Sequence, residues 1–186
     1  MPRWDPDASG RLLEAGMSLY FERGYAAVTV AEIAERAGLT KRTFFRHFTD
    51  KREVPFAGAA AFEAAVVAGV AAADAGVAPV EVAVGALADA SAELARWAEH
   101  AAARRALVAS APELEERELS KRDAVTVAIA AALRERGVDP LPATLSAQAA
   151  VAAFTTGYDR WVDGGATADL PALVRATLGD LRRAVC

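Results

Sequence analysis

Three features of the sequence predict an all-α fold. Apolar residues make up 54% of the 186 residues and alanine is abundant, which suits helices packed closely together. Within segments, apolar residues recur three and four apart. Glycine and proline fall mostly at the ends of those segments, where they start and stop helices. The length fits one large domain or a small module fused to a larger one, and either buries a sizeable core. The second arrangement is expected, with a head of residues 1–54 and a body of residues 55–186.

In the head, Leu12, Ala15, Gly16, Leu19 and Tyr20 lie at helical spacing and Gly24 follows as a stop, predicting a helix from about Ser9 to Arg23. Gly16 suits close approach of another element. Thr29-Val30-Ala31-Glu32 is a capping box that opens a second helix, with Val28 and Ile33 placed as a hydrophobic staple. Ile33, Ala34 and Ala37 face inward, and Gly38 ends the helix. A third begins after Thr40, a cap, and sets Phe44 and Phe48 on one face. Asp50 to Glu53 repeats the capping pattern and opens a long fourth helix toward Ala75, with Pro55 in its first turns. Pro79, Pro112, Pro142 and Pro171 each precede an apolar periodic segment, so further helices are expected at about 79–99, 101–110, 112–136, 142–163 and 170–184.

The net charge is −4, yet six basic residues stand against one acid between Arg36 and Arg52, so the rest of the chain is strongly acidic. One short segment is therefore suited to phosphates. In AEIAERAGLTKRTFFRHF two short helices meet at a glycine turn, and the second is basic on the side opposite its phenylalanines. A major groove admits one α-helix, and Lys41, Arg42, Thr43 and Arg46 can donate to base edges and phosphates. The bland alternative, an αα-corner with a solvated basic face, does not explain why turn, caps and charge polarity coincide.

VTVAEIAERAGLTKRTFFRHFTDKREV resembles the signature of the TetR family, and LLEAGMSLYFERGY resembles that family's first helix; the match covers residues 11–54. The resemblance implies a three-helix helix-turn-helix DNA-binding head followed by a helical-bundle ligand-binding and dimerisation body. It further implies a homodimer on a palindromic double-stranded DNA operator, usually a repressor released by a small molecule. By motif position it implies contacts from Lys41, Arg42, Thr43, Phe45, Arg46 and His47, with Thr29 and Lys51 holding phosphates. With Thr40, these form the candidate DNA-binding set. Many family members carry tyrosine where this chain has Phe45, which leaves only apolar contact, as with a thymine methyl. No nucleophile or carboxylate is placed by sequence beside His47, and His100 has no second ligand one turn away, so neither catalysis nor a metal is expected.

The body carries no chemical motif. Phe154, Tyr158 and Trp161 form one helical stripe and Val84, Leu87, Leu94 and Trp97 another. Such stripes fill cores or line apolar cavities. The candidate effector pocket is Phe62, Leu87, Trp97, Leu107, Phe154 and Tyr158. For a dimer, Ala150, Ala153 and Gly157 allow close helix packing while Leu178 and Leu181 offer an apolar face; packing within one chain is the alternative. SAPELEERELSKRDAV, RERGVDP and YDRWVDGG resemble the C-terminal domains of actinobacterial TetR-type regulators, including the mycofactocin-type group, which suggests an acyl or other lipid-like effector. The charges from Glu113 to Arg122 read as a solvated helix face.

No cofactor is expected. The lone cysteine, Cys186, has no partner for a disulfide, and the N-terminal residues show no signal core. The Ala/Val-rich stretches carry charges before reaching the roughly 20 residues that cross a bilayer. A soluble, cytoplasmic protein without membrane contact is expected. A helical enzyme using the body pocket, or an adaptor whose basic head meets an acidic partner, leaves the capped helix-turn-helix unexplained.

Overall fold

The structure, a computed structural model, describes residues 8–185, so Cys186 and the N-terminal residues read for a leader lie outside the described residues. The described chain is helical, with α1 (Ala8–Arg23), α2 (Val30–Arg36), α3 (Lys41–His47), a 3-10 segment (Lys51–Phe56), α4 (Ala59–Ala72), α5 (Pro79–Ala95), α6 (Ala98–Ala109), α7 (Pro112–Glu135), α8 (Pro140–Asp163) and α9 (Leu170–Val185). Two compact units result. One runs to Gly58 and includes Ala103–Glu118; the other comprises Ala59–Ala102 and the chain from Leu119 onward. The segment 103–118, assigned by sequence to the body, therefore belongs with the head, and α6 and α7 each run through both units.

In the first unit, Leu12, Val28, Ile33, Phe44 and Val54 are buried almost completely. The staple pair Val28 and Ile33 is thus internal, as its spacing requires. Gly16 allows the 3-10 segment to approach α1, because a Cβ there would sit 2.7 Å from Val54 Cγ1. The expected long fourth helix is not continuous. Asp50 caps the 3-10 turn by accepting from the Arg52 amide at 2.7 Å, Pro55 lies inside that turn, and α4 starts only at Ala59. Proline removes an amide donor and crowds the preceding turn, which accounts for the break.

That break bears on the membrane question as well. Lys51–Ala72 is long and apolar enough by composition to be a candidate span, with mean hydropathy 1.7 and Glu63 as its only charge beyond Glu53, contrary to the sequence expectation. Its α-helical part is only 14 residues, however, and buries Val66 and Val70 in the second unit's core. A helix that short falls below what a bilayer requires.

In the second unit, α5 packs against α4, α8 and α9, and α8 packs along α9. Leu87, Ile129, Leu133, Trp161 and Val174 lie in the shared core. Gly157 brings α8 close to α9, since a Cβ there would stand 3.1 Å from Val174 Cα. Arg136 donates to the carbonyls of Ala71, Ala73 and Asp74 at 2.8–3.1 Å, satisfying acceptors left at the end of α4.

Phe44 is fully buried, so Phe44→Ala is expected to destabilise the head by about 3–5 kcal/mol. Denaturant unfolding followed by circular dichroism measures this, and an unchanged transition would contradict the packing described.

Candidate nucleic-acid interface

Two short helices and a tight turn make the site. Thr29 caps α2 with both capping-box bonds present: Glu32 N donates to Thr29 Oγ1 at 3.3 Å and Thr29 N donates to Glu32 Oε2 at 2.8 Å. The helix ends through Leu39 N donating to Ala34 O at 2.8 Å, with Gly38 at φ 65°, a left-handed conformation that favours glycine. Arg11 braces the turn from α1 by donating to Ala37 O. Thr40 then caps α3, accepting from Thr43 N at 3.2 Å.

Burial of Phe44 decides which way α3 faces. Its ring lies 5.4 Å from that of Phe48, also buried, and with that side inward Lys41, Arg42, Phe45 and Arg46 are left exposed. Arg42, Thr43, Phe45 and Arg46 line one open, shallow depression. Phe45 is 56% exposed and meets Phe44 edge-on at 5.5 Å, so its outer face is available for apolar contact. His47, half-buried at the end of the helix, lies with Nε2 3.4 Å from the Arg46 guanidinium.

The charges around α3 are partitioned. Arg36 forms a two-pronged pair with Glu22 at 2.9 Å, and Arg52 pairs with Asp50 at 2.8 Å. Lys41, Arg42 and Arg46 form no ion pair among the described residues. Unneutralised cations therefore concentrate on the outward face of α3.

Thr29 and Lys51, expected to hold phosphates, are engaged inside the head. Thr29 Oγ1 donates to Glu32 Oε2 at 2.7 Å, so its proton is already committed. Lys51 Nζ donates to Tyr25 O at 2.9 Å and Val28 O at 2.8 Å and sits 4.2 Å from the Tyr25 ring centre, while Tyr20 Oη donates to Lys51 O at 2.7 Å. Lys51 thus ties the 3-10 segment to the loop before α2.

Sequence reasoning missed the residues that hold this arrangement from afar. Arg104 donates through Nε to Pro55 O at 3.0 Å, lies 5.1 Å from the Phe56 ring centre and pairs with Glu118 at 3.2 Å; Arg117 pairs with Glu53. The partners are far apart in sequence, so no local spacing marks them. Part of the Glu113–Arg122 run, read as a solvated face, is accordingly internal to the head.

In the body, the ring centres of Phe62 and Phe154 lie 5.4 Å apart, and Tyr158 stacks 6.3 Å from Phe154. Leu87 is buried in the same core. Trp97 is not with them: it is 62% exposed, beside His100 at 6.3 Å. Leu107 belongs to the other unit. The residues expected at a dimer boundary are internal too. Ala150, Ala153, Gly157 and Leu178 are buried within the chain and Leu181 packs partly against the core, with Gly157 set against α9.

The family of bacterial regulatory proteins named for tetR matches residues 12–57, the segment that forms the capped helices and the 3-10 turn. Over that segment the chain is similar to the TetR family. Among curated relatives, the HTH-type transcriptional regulator TcmR of Streptomyces glaucescens is 36% identical over 76 residues, 41% of this chain and 34% of its own length. The HTH-type transcriptional activator FasR of Mycolicibacterium smegmatis is 42% identical over 45 residues, 24% of this chain and 20% of its own length. The match thus spans only 20–34% of the length of these relatives, all of the likeness being local. Over the whole chain the likeness is one of fold. The SmeT–triclosan complex aligns with TM-score 0.63 at 19% identity, covering 93% of this chain and 90% of that one. The fatty acid degradation regulator FadR of Bacillus halodurans aligns with TM-score 0.57 at 19% identity, covering 95% of each.

Hydrogen bonds from Thr29 and Arg23 hold the Glu32 carboxyl down to about 2, against an ordinary value of 4.5. A depressed carboxyl stabilises the fold fully above its unfolded value and loses that contribution as pH falls through its folded value. Thr29 is the N-cap of α2, so Thr29→Ala is expected to cost about 1 kcal/mol at neutral pH. Urea melts of both proteins should show the gap narrowing as pH falls from 4.5 towards 2, and a gap independent of pH would contradict the capping-box account.

Proposed function

We propose that the chain is a cytoplasmic one-component transcriptional regulator that binds duplex DNA through α3 as a homodimer and acts as a repressor released by a small apolar effector in the body. The observation that carries this reading is the outward face of α3, where Lys41, Arg42 and Arg46 stand without carboxylate partners beside exposed Phe45. Lys41 and Arg46 meet phosphates, Arg42 and Thr43 reach base edges, and Phe45 takes a thymine methyl. His47 adds a phosphate contact, and Thr40 positions the helix by capping it. Thr29 and Lys51 contribute by fixing the head rather than by holding phosphates.

A single head reads one half-site, so a twofold mate supplies affinity and a palindromic operator. Ala152 on α8 and Ala172 and Ala176 on α9 are exposed small residues that permit close approach of a second copy. The half-buried rings of Phe62, Phe154 and Tyr158 supply the apolar lining for the effector. An acyl or lipid-like ligand suits that lining, and two structural neighbours are the SmeT–triclosan complex and a fatty acid degradation regulator. Effector and operator are coupled by a free energy on the order of 1–3 kcal/mol, reciprocal between the two ligands. No catalytic step and no cofactor enter this reading.

Arg46→Ala is expected to weaken duplex binding and to reduce the slope of log affinity against log salt by about one. Fluorescence anisotropy across a salt series, with circular dichroism to verify folding, makes the measurement. Identical isotherms for a folded variant would sink the assignment.

A further inference from the structure

Phe45 stands on the outward face of α3 beside Arg42, one turn before it, and Arg46, and with Arg42, Thr43 and Arg46 it lines the open depression there. The buried ring of Phe44 supports it edge-on at 5.5 Å, and 56% of the residue is exposed. A phenyl ring offers no hydrogen-bonding atom to a base. The apolar group presented in the major groove is a methyl at C5 of a pyrimidine. Thymine carries that methyl, and so does cytosine once methylated at C5.

The polar groups beside Phe45 decide between these two bases. Lys41, Arg42 and Arg46 are exposed, act only as donors and form no ion pair among the described residues. The side-chain acceptors nearby are engaged: the Thr43 hydroxyl pairs with that of Thr40 at 3.1 Å, and His47 Nε2 faces the Arg46 guanidinium at 3.4 Å. Adenine, the partner of thymine, presents one donor and one acceptor, which the amide of asparagine or glutamine matches. Neither residue occurs in α3; the sequence holds no asparagine, and its single glutamine, Gln148, is on α8. Guanine instead presents two acceptors, which the fork of an arginine matches. The base pair that offers a methyl together with two acceptors is 5-methylcytosine with guanine. We infer that α3 reads 5-methylcytosine paired with guanine, Phe45 meeting the methyl and Arg42 the guanine, so that cytosine methylation strengthens operator binding. This inference rests on the reading that α3 lies in the major groove, and extends it from thymine to a modified base.

The test is fluorescence anisotropy of the full chain with the duplex it selects from a random pool, carrying cytosine, 5-methylcytosine, thymine or deoxyuridine at each pyrimidine position in turn. At one position per half-site, 5-methylcytosine should bind about fourfold more tightly than cytosine, the effect of burying one methyl, and at least as tightly as thymine. In Phe45→Ala, with its fold verified by circular dichroism, the advantage of 5-methylcytosine over cytosine should vanish. Failure of 5-methylcytosine to exceed cytosine at every position overturns the inference and leaves sequence reading by α3 standing. Thymine binding more tightly than 5-methylcytosine, or an advantage of 5-methylcytosine that survives in Phe45→Ala, overturns it in the same way. Selection of no duplex overturns both.

Discussion

A helix of seven residues has too few internal hydrogen bonds to persist by itself in water, so α3 depends on what it buries. Phe44 and Phe48 anchor it, one fully and one almost fully removed from solvent. Successive helical residues are about 100° apart, so fixing Phe44 inward fixes Arg42, Phe45 and Arg46 outward. The chemistry of the exposed face is thus a consequence of an apolar contact on the opposite one. Thr40 sets where the helix begins, Gly38 the angle at which the chain enters it, and Lys51 holds the segment that follows.

Around that anchor the head sorts its charges. Most basic groups flanking α3 are consumed in holding the head together: Arg23 by Glu32, Arg36 by Glu22 and Arg52 by Asp50. These pairs are solvent-exposed, so each contributes little stability alone. Their larger effect is on the field, since they leave the cations of α3 as the part of the segment without nearby counter-charge. An acidic chain can in this way present a local face suited to phosphates.

The head was legible because its determinants are local. Capping boxes, a staple and a glycine turn act over three to five residues, and Thr29, Val28, Ile33 and Gly38 each sit where their spacing demands. The same locality was silent on the partners that Lys51 Nζ finds within the head, the carbonyls of Tyr25 and Val28, which no short motif reveals. Arg104 and Arg117 were invisible for the related reason that they meet Pro55, Phe56 and Glu53 across large stretches of chain. In the body, helix positions were legible from proline and apolar period, but the side each small residue faces was not. Ala150, Ala153 and Gly157 suit a partner chain and a neighbouring helix equally by composition, and here all three are buried in the chain's own core, Gly157 against α9. Trp97 falls on an apolar stripe and yet is exposed, because α5 ends at Ala95, before the stripe is complete.

The central claim is that α3 reads a DNA sequence, in two copies related by a twofold axis. Selection of binding sites from a random duplex pool by the purified full chain at near-physiological salt tests it most directly. The account predicts enrichment of a palindrome whose half-sites lie about one or more helical turns of DNA apart. A pool with no enriched sequence, or an enriched site without twofold symmetry, would contradict it.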